Sequence, residues 1–273
     1  MVQFQEEFLR LCAASNNEVI VKLPDTISHA IDYLKSLPLE IDEKYMQNKH
    51  FEKLLRVDQT AAMIVYWEEI DERIKYLWKS IGLRGNSLLE NVVSCVNSKN
   101  YYPAAISTRA LLENCAYLHF CLMKILPMYT KWTNQDVFGH IIRKEVKRLV
   151  ISGELENLLI LFSHGTTLRV LTSNHPKWKQ EGISKYIKSL SEEKGYEDIN
   201  DYYSLLCQIA HPSIGSNLIF LTKGYFSGNY EVYHFRKDQN AKFFLENTSV
   251  PLGISCKILE KDIEQFKEIK FAY

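Results

Sequence analysis

Two charged residues in the most apolar part of the sequence are the first candidates for chemistry. Arg109 and Glu113 lie four residues apart, so in a helix they share one face. They are the only full charges between Pro103 and Met123, and a buried charge is costly unless it is paired and hydrogen-bonded. They form either a structural ion pair that fixes how helices meet, or a pocket lining in which Arg109 holds a phosphate or carboxylate group.

A second candidate is a polar stripe on the segment that ends at His211. In a helix, four polar residues of this segment share one face: Asp201, Ser204, Gln208 and His211. The stripe is either the solvent face of the helix or the lining of an internal cleft. His211 would lie at the helix C-terminus, where the helix dipole favours the protonated imidazole of a general acid or a phosphate contact. Alternatively, His211 caps the last carbonyl groups before Pro212.

A third candidate is a cationic stripe on a helix that we predict over residues 135–152. Its members are Arg143, Lys144, Lys147 and Arg148. Such a stripe is usually a solvated helix face. It could instead contact the backbone of RNA or DNA, and binding of that kind weakens steeply with salt.

The familiar motifs of nucleotide, hydrolase and zinc sites are absent from the sequence. It contains no GxxxxGK[ST] loop, no GxGxxG after a strand, no GxSxG, no HExxH and no paired CxxC. Cys115 and His119 share a helical face, with Cys121 close by, but their apolar neighbours favour a buried thiol and a packed histidine over a metal site. We therefore expect no metal and no cofactor.

Composition and charge narrow the class of protein. The 273 residues carry 33 basic and 33 acidic side chains, which excludes a strongly polycationic nucleic-acid binder and an acidic tail protein. The N-terminus lacks a signal-peptide pattern, and charges interrupt the longest apolar stretch, 110–128, so we expect no membrane span. The six cysteines then indicate reduced, mostly buried thiols in a cytoplasmic protein.

The spacing of apolar residues along the chain predicts an all-α fold, a multi-helix bundle with one small β-hairpin at about 218–236. Gly82 and Gly85 are expected to end one helix, and Ser87 to cap the next. A central helix is expected to run to Leu126 and a last helix over 260–270. We expect an N-terminal helical region, 1–86, packed on a bundle of residues 87–273, with both in one compact unit.

Two segments, YYPAAISTRALLEN and DYYSLLCQIAHPSIGSN, resemble a group of uncharacterised bacterial helical proteins. These carry an Arg-Ala-Leu-x-Glu helix and a His-Pro-Ser helix end, and they are similar to the HEPN superfamily. The resemblance implies a small helical bundle, often a homodimer, from toxin, antiphage or RNA-processing systems. Active members are metal-independent ribonucleases with an Arg-x4–6-His motif. Here the motif is degenerate, because Ser204, Leu205 and Leu206 stand where the arginine would be.

The resemblance gives the candidate residues their roles. Arg109 from the neighbouring helix would stand in for the missing arginine, His211 would transfer the proton, and Glu113 would orient Arg109. The candidate substrate-binding residues are Ser204, Gln208, Ser213, Arg143 and Lys147. The chain would then bind or cleave RNA.

Two alternatives stay open. The missing motif, zero net charge, 16 tyrosines and four tryptophans fit a non-catalytic helical module that holds a partner protein encoded in the same operon. A helical enzyme that binds a small molecule between the same two helices is the other alternative.

Overall fold

The computed structural model describes residues 3–41, 46–134, 152–165, 179–235 and 239–269. These segments contain ten α-helices and one two-stranded antiparallel sheet close to the C-terminus. The predicted all-α fold with one small hairpin is therefore confirmed. No helix within these segments is long and apolar enough to cross a membrane.

Three helices open the chain. They are α1 (Glu6–Ala13), α2 (Glu18–Ser36) and α3 (Asn48–Val57). Asn17 caps α2, because its side-chain oxygen accepts a hydrogen bond of 2.9 Å from the backbone N–H of Val19.

Two long helices, α4 (Gln59–Asn97) and α5 (Tyr101–Asn134), form the predicted helical hairpin. Lys99 turns the chain with a φ of 55°, in the left-handed region that usually takes glycine. The N–H of Asn100 bonds the Cys95 carbonyl at 2.7 Å, which closes the end of α4. Further along, Asn91 Nδ2 donates to Ser107 Oγ at 2.6 Å and joins the two helices.

The predicted helix break at Gly82 and Gly85 is wrong, because α4 continues through both glycines. Ser87 does not cap a helix; its hydroxyl donates to the Leu83 carbonyl at 3.0 Å, one turn earlier. A Cβ on Gly85 would lie 3.1 Å from Leu259 Cδ1, so this glycine permits close helix packing rather than a stop. The central helix also passes its predicted end, since Pro127 lies inside α5.

The second half of the chain is made of shorter elements before a long final helix. They are α6 (Gly153–His164), α7 (Ile183–Ser191), α8 (Ile199–Ala210), α9 (Ile214–Leu218), β1 (Leu221–Ser227), β2 (Tyr230–Phe235) and α10 (Ala241–Glu268). The last helix begins nearly twenty residues before the predicted position. In the sheet, Ser227 lies opposite Tyr230, and Gly228 makes the turn between them with a φ of 60°.

The chain divides into two compact units. Unit 1 comprises Met1–Pro38, Gly82–Tyr117 and Ile183–Lys261, and unit 2 comprises Leu39–Ile81, Leu118–Gly182 and Asp262–Tyr273. Each unit takes residues from both sides of position 86, where the sequence suggested a boundary. The following side chains are fully buried in unit 1: Leu34, Leu89, Leu111, Phe244 and Leu252. In unit 2 they include Met63, Trp67, Ile70, Leu122 and Phe266. Burial of each such side chain contributes roughly 1.5–3 kcal/mol to folding.

Candidate functional site

Helix α8 and the part of helix α5 that lies in unit 1 carry most of the candidate residues. The Tyr203 hydroxyl donates to Glu113 Oε1 at 2.9 Å, and the Tyr102 hydroxyl donates to the Ala210 carbonyl at 3.4 Å. Since the later residue on α5 pairs with the earlier residue on α8, the two helices run antiparallel. We call the line along which they meet the α5–α8 seam.

Arg109, Glu113 and Tyr203 form one cluster on this seam. Arg109 Nη2 lies 3.1 Å from Glu113 Oε1, and the arginine and glutamate side chains are 24% and 28% exposed. The guanidinium carbon lies 5.7 Å from the centre of the Tyr203 ring, in cation–π contact. The predicted pairing of Arg109 with Glu113 is thus present, and Tyr203 completes it from the other helix.

The cluster shifts the pKa values of its members. Partial burial lowers the pKa of Arg109, but the hydrogen bond with Tyr203 and the charge of Glu113 together raise it above its ordinary value. For Tyr203, burial and the hydrogen bond to Glu113 raise the pKa to about 12, although the hydrogen bond with Arg109 works against this. At neutral pH the cluster therefore holds a charged arginine beside a neutral phenol.

Much of the hydrogen-bonding capacity of Arg109 is not used inside the cluster. A guanidinium has five N–H donors, and Nε of Arg109 is buried with no hydrogen-bond partner among the residues described here. The side chain nevertheless keeps about a quarter of its surface in solvent. The cluster is thus a half-buried ion pair with one side open to water.

His211 lies at the end of the same seam. Its backbone N–H bonds the Cys207 carbonyl at 3.0 Å, and its side chain is exposed. Cys207 contacts the cluster, because a side-chain hydrogen bond with Cys207 is among the causes that raise the pKa of Tyr203. His211 follows Cys207 by one helical turn, about 6 Å of rise. Within the described part of the chain, the His211 imidazole makes no hydrogen bond or ion pair with the Arg109 cluster.

The carbonyl groups at the end of α8 have other partners. The Tyr102 hydroxyl donates a hydrogen bond to the Ala210 carbonyl, and the Ser213 hydroxyl donates one to the Gln208 carbonyl. The imidazole of His211 is therefore not needed as a cap for these two groups. This weakens the interpretation that His211 serves only to close the helix.

The polar stripe of α8 is the solvent face of the helix. Asp201, Ser204, Gln208 and His211 are all exposed. The Ser204 hydroxyl donates to the Asn200 carbonyl at 2.8 Å, one turn earlier on the same helix. Of the two explanations that the sequence left open, the internal cleft is excluded, and a binding role for Ser204 and Gln208 remains a prediction.

The Pro212–Gly215 segment has a structural role. The Ser213 N–H bonds Ser216 Oγ at 3.1 Å and starts the short helix α9. A Cβ on Gly215 would lie only 3.0 Å from the Gln208 backbone, so glycine lets α9 fold back against the end of α8. Ser213, a candidate substrate-binding residue, is thus half-buried and bonded to the helix end.

The predicted cationic stripe lies outside the described residues. This concerns Arg143 and Lys147 from the candidate binding set, together with Lys144 and Arg148. Their contribution to binding stays a prediction.

Two features of the structure were missed from the sequence. Tyr203 is not among the candidate residues from the sequence, although its hydroxyl lies between Arg109 and Glu113. In unit 2, His119 Nδ1 lies 3.0 Å from Asp262 Oδ2, and both side chains are almost fully buried. The signal for Asp262 was a lone carboxylate among the buried positions of the last helix, where Leu259, Ile263 and Phe266 follow the helical repeat.

The cysteines are free, and four of the six are buried. Cys115 Sγ donates to the Ser255 carbonyl at 3.3 Å. The interpretation of Cys115 and His119 as a buried thiol and a packed histidine is confirmed. Within the described segments, no group of three or more His, Cys, Asp or Glu side chains is arranged to hold a metal ion.

No family model, no curated protein and no solved structure matches this chain.

Proposed function

We propose that this chain is a HEPN-like helical protein that contacts RNA through the α5–α8 seam. The observation that supports the proposal is that the two helices that carry Arg109 and lead to His211 meet along this seam, through the Tyr203–Glu113 and Tyr102–Ala210 hydrogen bonds. Both side chains reach solvent, because the arginine is partly exposed and the histidine is exposed. A cation and an imidazole in this arrangement suit a phosphodiester.

The chemistry of the proposed contact follows from the three side chains. Arg109 would stabilise the negative charge that develops on the phosphoryl oxygens. A 2′ hydroxyl would attack the phosphorus and lose its proton to water, and His211 would give a proton to the leaving 5′ oxygen, so that a 2′,3′-cyclic phosphate and a 5′ hydroxyl form. Glu113 would hold the guanidinium in place. Ser204 and Gln208 on the exposed face of α8, and Arg143 and Lys147 elsewhere, would bind further along the RNA backbone.

The test compares RNA binding and cleavage among matched variants. Fluorescence anisotropy with a labelled single-stranded RNA, at several salt concentrations, measures binding, and gel electrophoresis of total RNA measures cleavage. His211→Ala should weaken binding several-fold, while His29→Ala, which removes another exposed histidine, should not. Arg109→Gln should also weaken binding, and Arg84→Gln at an exposed site should not. Equal binding and equal cleavage by all five proteins would refute the proposal.

A second candidate function is a non-catalytic helical module that holds a partner protein from the same operon. The observation in its favour is the internal pairing of the Arg109–Glu113–Tyr203 cluster, in which a carboxylate already neutralises the arginine. A tagged chain purified from its native host should then retain a second protein in a fixed ratio. Purification without any such protein would argue against this candidate.

The biological setting remains part of the proposal. The resemblance supports a cytoplasmic protein of a toxin or antiphage system that forms a homodimer. This setting would be supported by a neighbouring gene for a nuclease, a reverse transcriptase or an antitoxin. Neighbouring genes for enzymes of central metabolism would argue against it.

A further inference from the structure

A cavity of about 340 Å³ lies between α2 and the part of α10 that belongs to unit 1. We call it the α2–α10 cavity. Its volume is within the range of small-molecule sites, roughly 300–1,000 Å³. On each helix the lining residues recur at the spacing of one helical face. They are Glu18, Val19, Lys22, Leu23, Thr26, Val250, Gly253, Ile254 and Lys257.

The inner wall of the α2–α10 cavity is apolar. Leu23 of α2 is 1% exposed, and Val250 and Ile254 of α10 are half-buried. Val19, closer to the surface, keeps 42% of its area exposed. Water against such side chains finds few hydrogen-bond partners. An apolar group that replaces this water is therefore bound favourably.

Gly253 leaves part of this wall open. The residue is buried, yet a Cβ built on it would meet no atom within 4 Å. At Gly85 close packing explains the glycine, because a Cβ there would lie 3.1 Å from Leu259. No such neighbour explains Gly253, and a glycine inside a helix is destabilising relative to alanine. A ligand that lies against the backbone of α10 would explain it.

The mouth of the α2–α10 cavity carries a cation that no carboxylate neutralises. Glu18 and Lys22 pair with each other on α2. Lys257 of α10 is exposed and makes no ion pair among the residues that the structure describes. Glu260, three residues further along, is bonded to His29 at 2.9 Å. Two lysines and one glutamate thus leave the lining with one net positive charge.

We propose that the α2–α10 cavity binds a small organic carboxylate, with its apolar body against Gly253 and Ile254 and its head group at Lys257. At about 30 Å³ for each non-hydrogen atom, the share of a water molecule in the liquid, the cavity holds about eleven such atoms. A medium-chain fatty acid such as octanoate has this size and a single negative charge. The inference is independent of the proposed contact with RNA, because that contact involves other helices.

Equilibrium dialysis of radiolabelled octanoate against the full chain tests this proposal. At about 10 mM ionic strength exposed charges are weakly screened. The wild type should then bind about one octanoate per chain with a Kd of about 1 mM or tighter. Octylamine, which has the same body and the opposite charge, should compete at least about tenfold less well.

Two substitutions remove the two features on which the proposal depends. Gly253→Leu fills the space beside α10 and should raise the Kd for octanoate at least about tenfold. Its control is Gly153→Leu, at an exposed glycine whose Cβ also meets open space, which should leave the Kd within about twofold. Lys257→Gln should raise the Kd about three- to fivefold, as loss of an exposed ion pair does. Its control is Lys242→Gln near the start of the same helix, where the lysine lies beside Glu246.

Circular dichroism and thermal melting establish which variants are folded, and three results would overturn the proposal. The first is a wild type without saturable octanoate binding up to about 10 mM. The second is a folded Gly253→Leu that binds octanoate as the wild type does, because the ligand then lies elsewhere. The third is octylamine that competes as well as octanoate, because the site then does not select a carboxylate.

The lysine pair keeps the test decisive if Gly253→Leu does not fold. Equal Kd values for Lys257→Gln and Lys242→Gln would then overturn the proposal, and a weaker Lys257→Gln would support it. Both lysine variants should bind RNA as the wild type does. Failure of octanoate binding therefore leaves the proposed function standing, and loss of RNA binding in His211→Ala concerns only that function.

Discussion

Tyr203→Phe tests whether the Arg109–Glu113–Tyr203 cluster holds α5 against α8. The substitution removes one hydroxyl, which donates to Glu113 at 2.9 Å, and leaves the aromatic ring on the guanidinium. A hydrogen bond to a charged group contributes roughly 1.5–3 kcal/mol. Because the arginine and glutamate are about a quarter exposed, solvent screening reduces this, and we expect a loss of about 1 kcal/mol.

Urea unfolding at pH 7.5, followed by circular dichroism, measures this loss. With a slope of about 3 kcal/mol per M, a loss of 1 kcal/mol moves the midpoint by about 0.3 M. Tyr202→Phe is the matched control, since this neighbour on α8 is half-buried and its hydroxyl has no hydrogen bond among the described residues. If both variants unfold at the wild-type midpoint, the hydroxyl of Tyr203 does not hold the cluster, and our account of the seam is wrong.

Three further measurements test other parts of the structure. Burial and Glu113 raise the pKa of Tyr203 from 10.0 to about 12. The contribution of the neutral phenol to stability is therefore complete below pH 10 and is lost as the pH rises toward 12. In urea unfolding at high pH, the free energy of unfolding should fall more steeply for the wild type than for Tyr203→Phe. Gly253→Ala should stabilise α10 by about 1 kcal/mol, because the added Cβ meets open space. Gly85→Val should destabilise the protein by about 1–3 kcal/mol, because the larger side chain would overlap Leu259. Thermal melting of both variants measures these opposite effects. Full burial raises the pKa of Cys256 to about 12. A thiol reagent at about pH 8 should therefore label the half-exposed Cys95 and Cys207 before the four buried cysteines, and Cys256 only on unfolding.

The helix-rich fold could be predicted because its signals are local. Apolar spacing identified the helices around the α4–α5 hairpin, and aromatic and β-branched residues on either side of Ser227-Gly228-Asn229 identified the sheet. The break at Gly82 and Gly85 was predicted wrongly, because a glycine that ends a helix and one that admits a neighbouring side chain look alike in sequence. Only the position of Leu259, far along the chain, distinguishes them.

The start of α10 was missed because its first half is rich in residues that disfavour helices. Thr248 and Ser255 are buried, and each donates its hydroxyl to the carbonyl four residues earlier, at 2.7 Å and 2.8 Å. Their polar groups are thus satisfied inside the helix. Burial of Phe244 and Leu252 supplies the tertiary stabilisation that the local sequence does not indicate.

The candidate site was predictable only in part, for a similar reason. The spacing of Arg109 and Glu113 was enough to predict that they would pair. A polar stripe, however, has the same period whether it faces water or a cleft, so the exposure of Ser204 and Gln208 could come only from the structure. Tyr203 could not be found, because a tyrosine in an apolar helix packs its ring in every case, and its hydroxyl finds a partner only through the fold.

Pro251 has a mechanical consequence for the last helix. A proline has no N–H, so the carbonyl of Asn247 does not receive the backbone hydrogen bond that residue 251 of α10 would otherwise donate. The neighbouring hydroxyls of Thr248 and Ser255 bond other carbonyls and leave this gap in place. The 28-residue helix is therefore continuous but lacks one backbone hydrogen bond near its middle, and a missing bond at a proline is a common cause of helix bending.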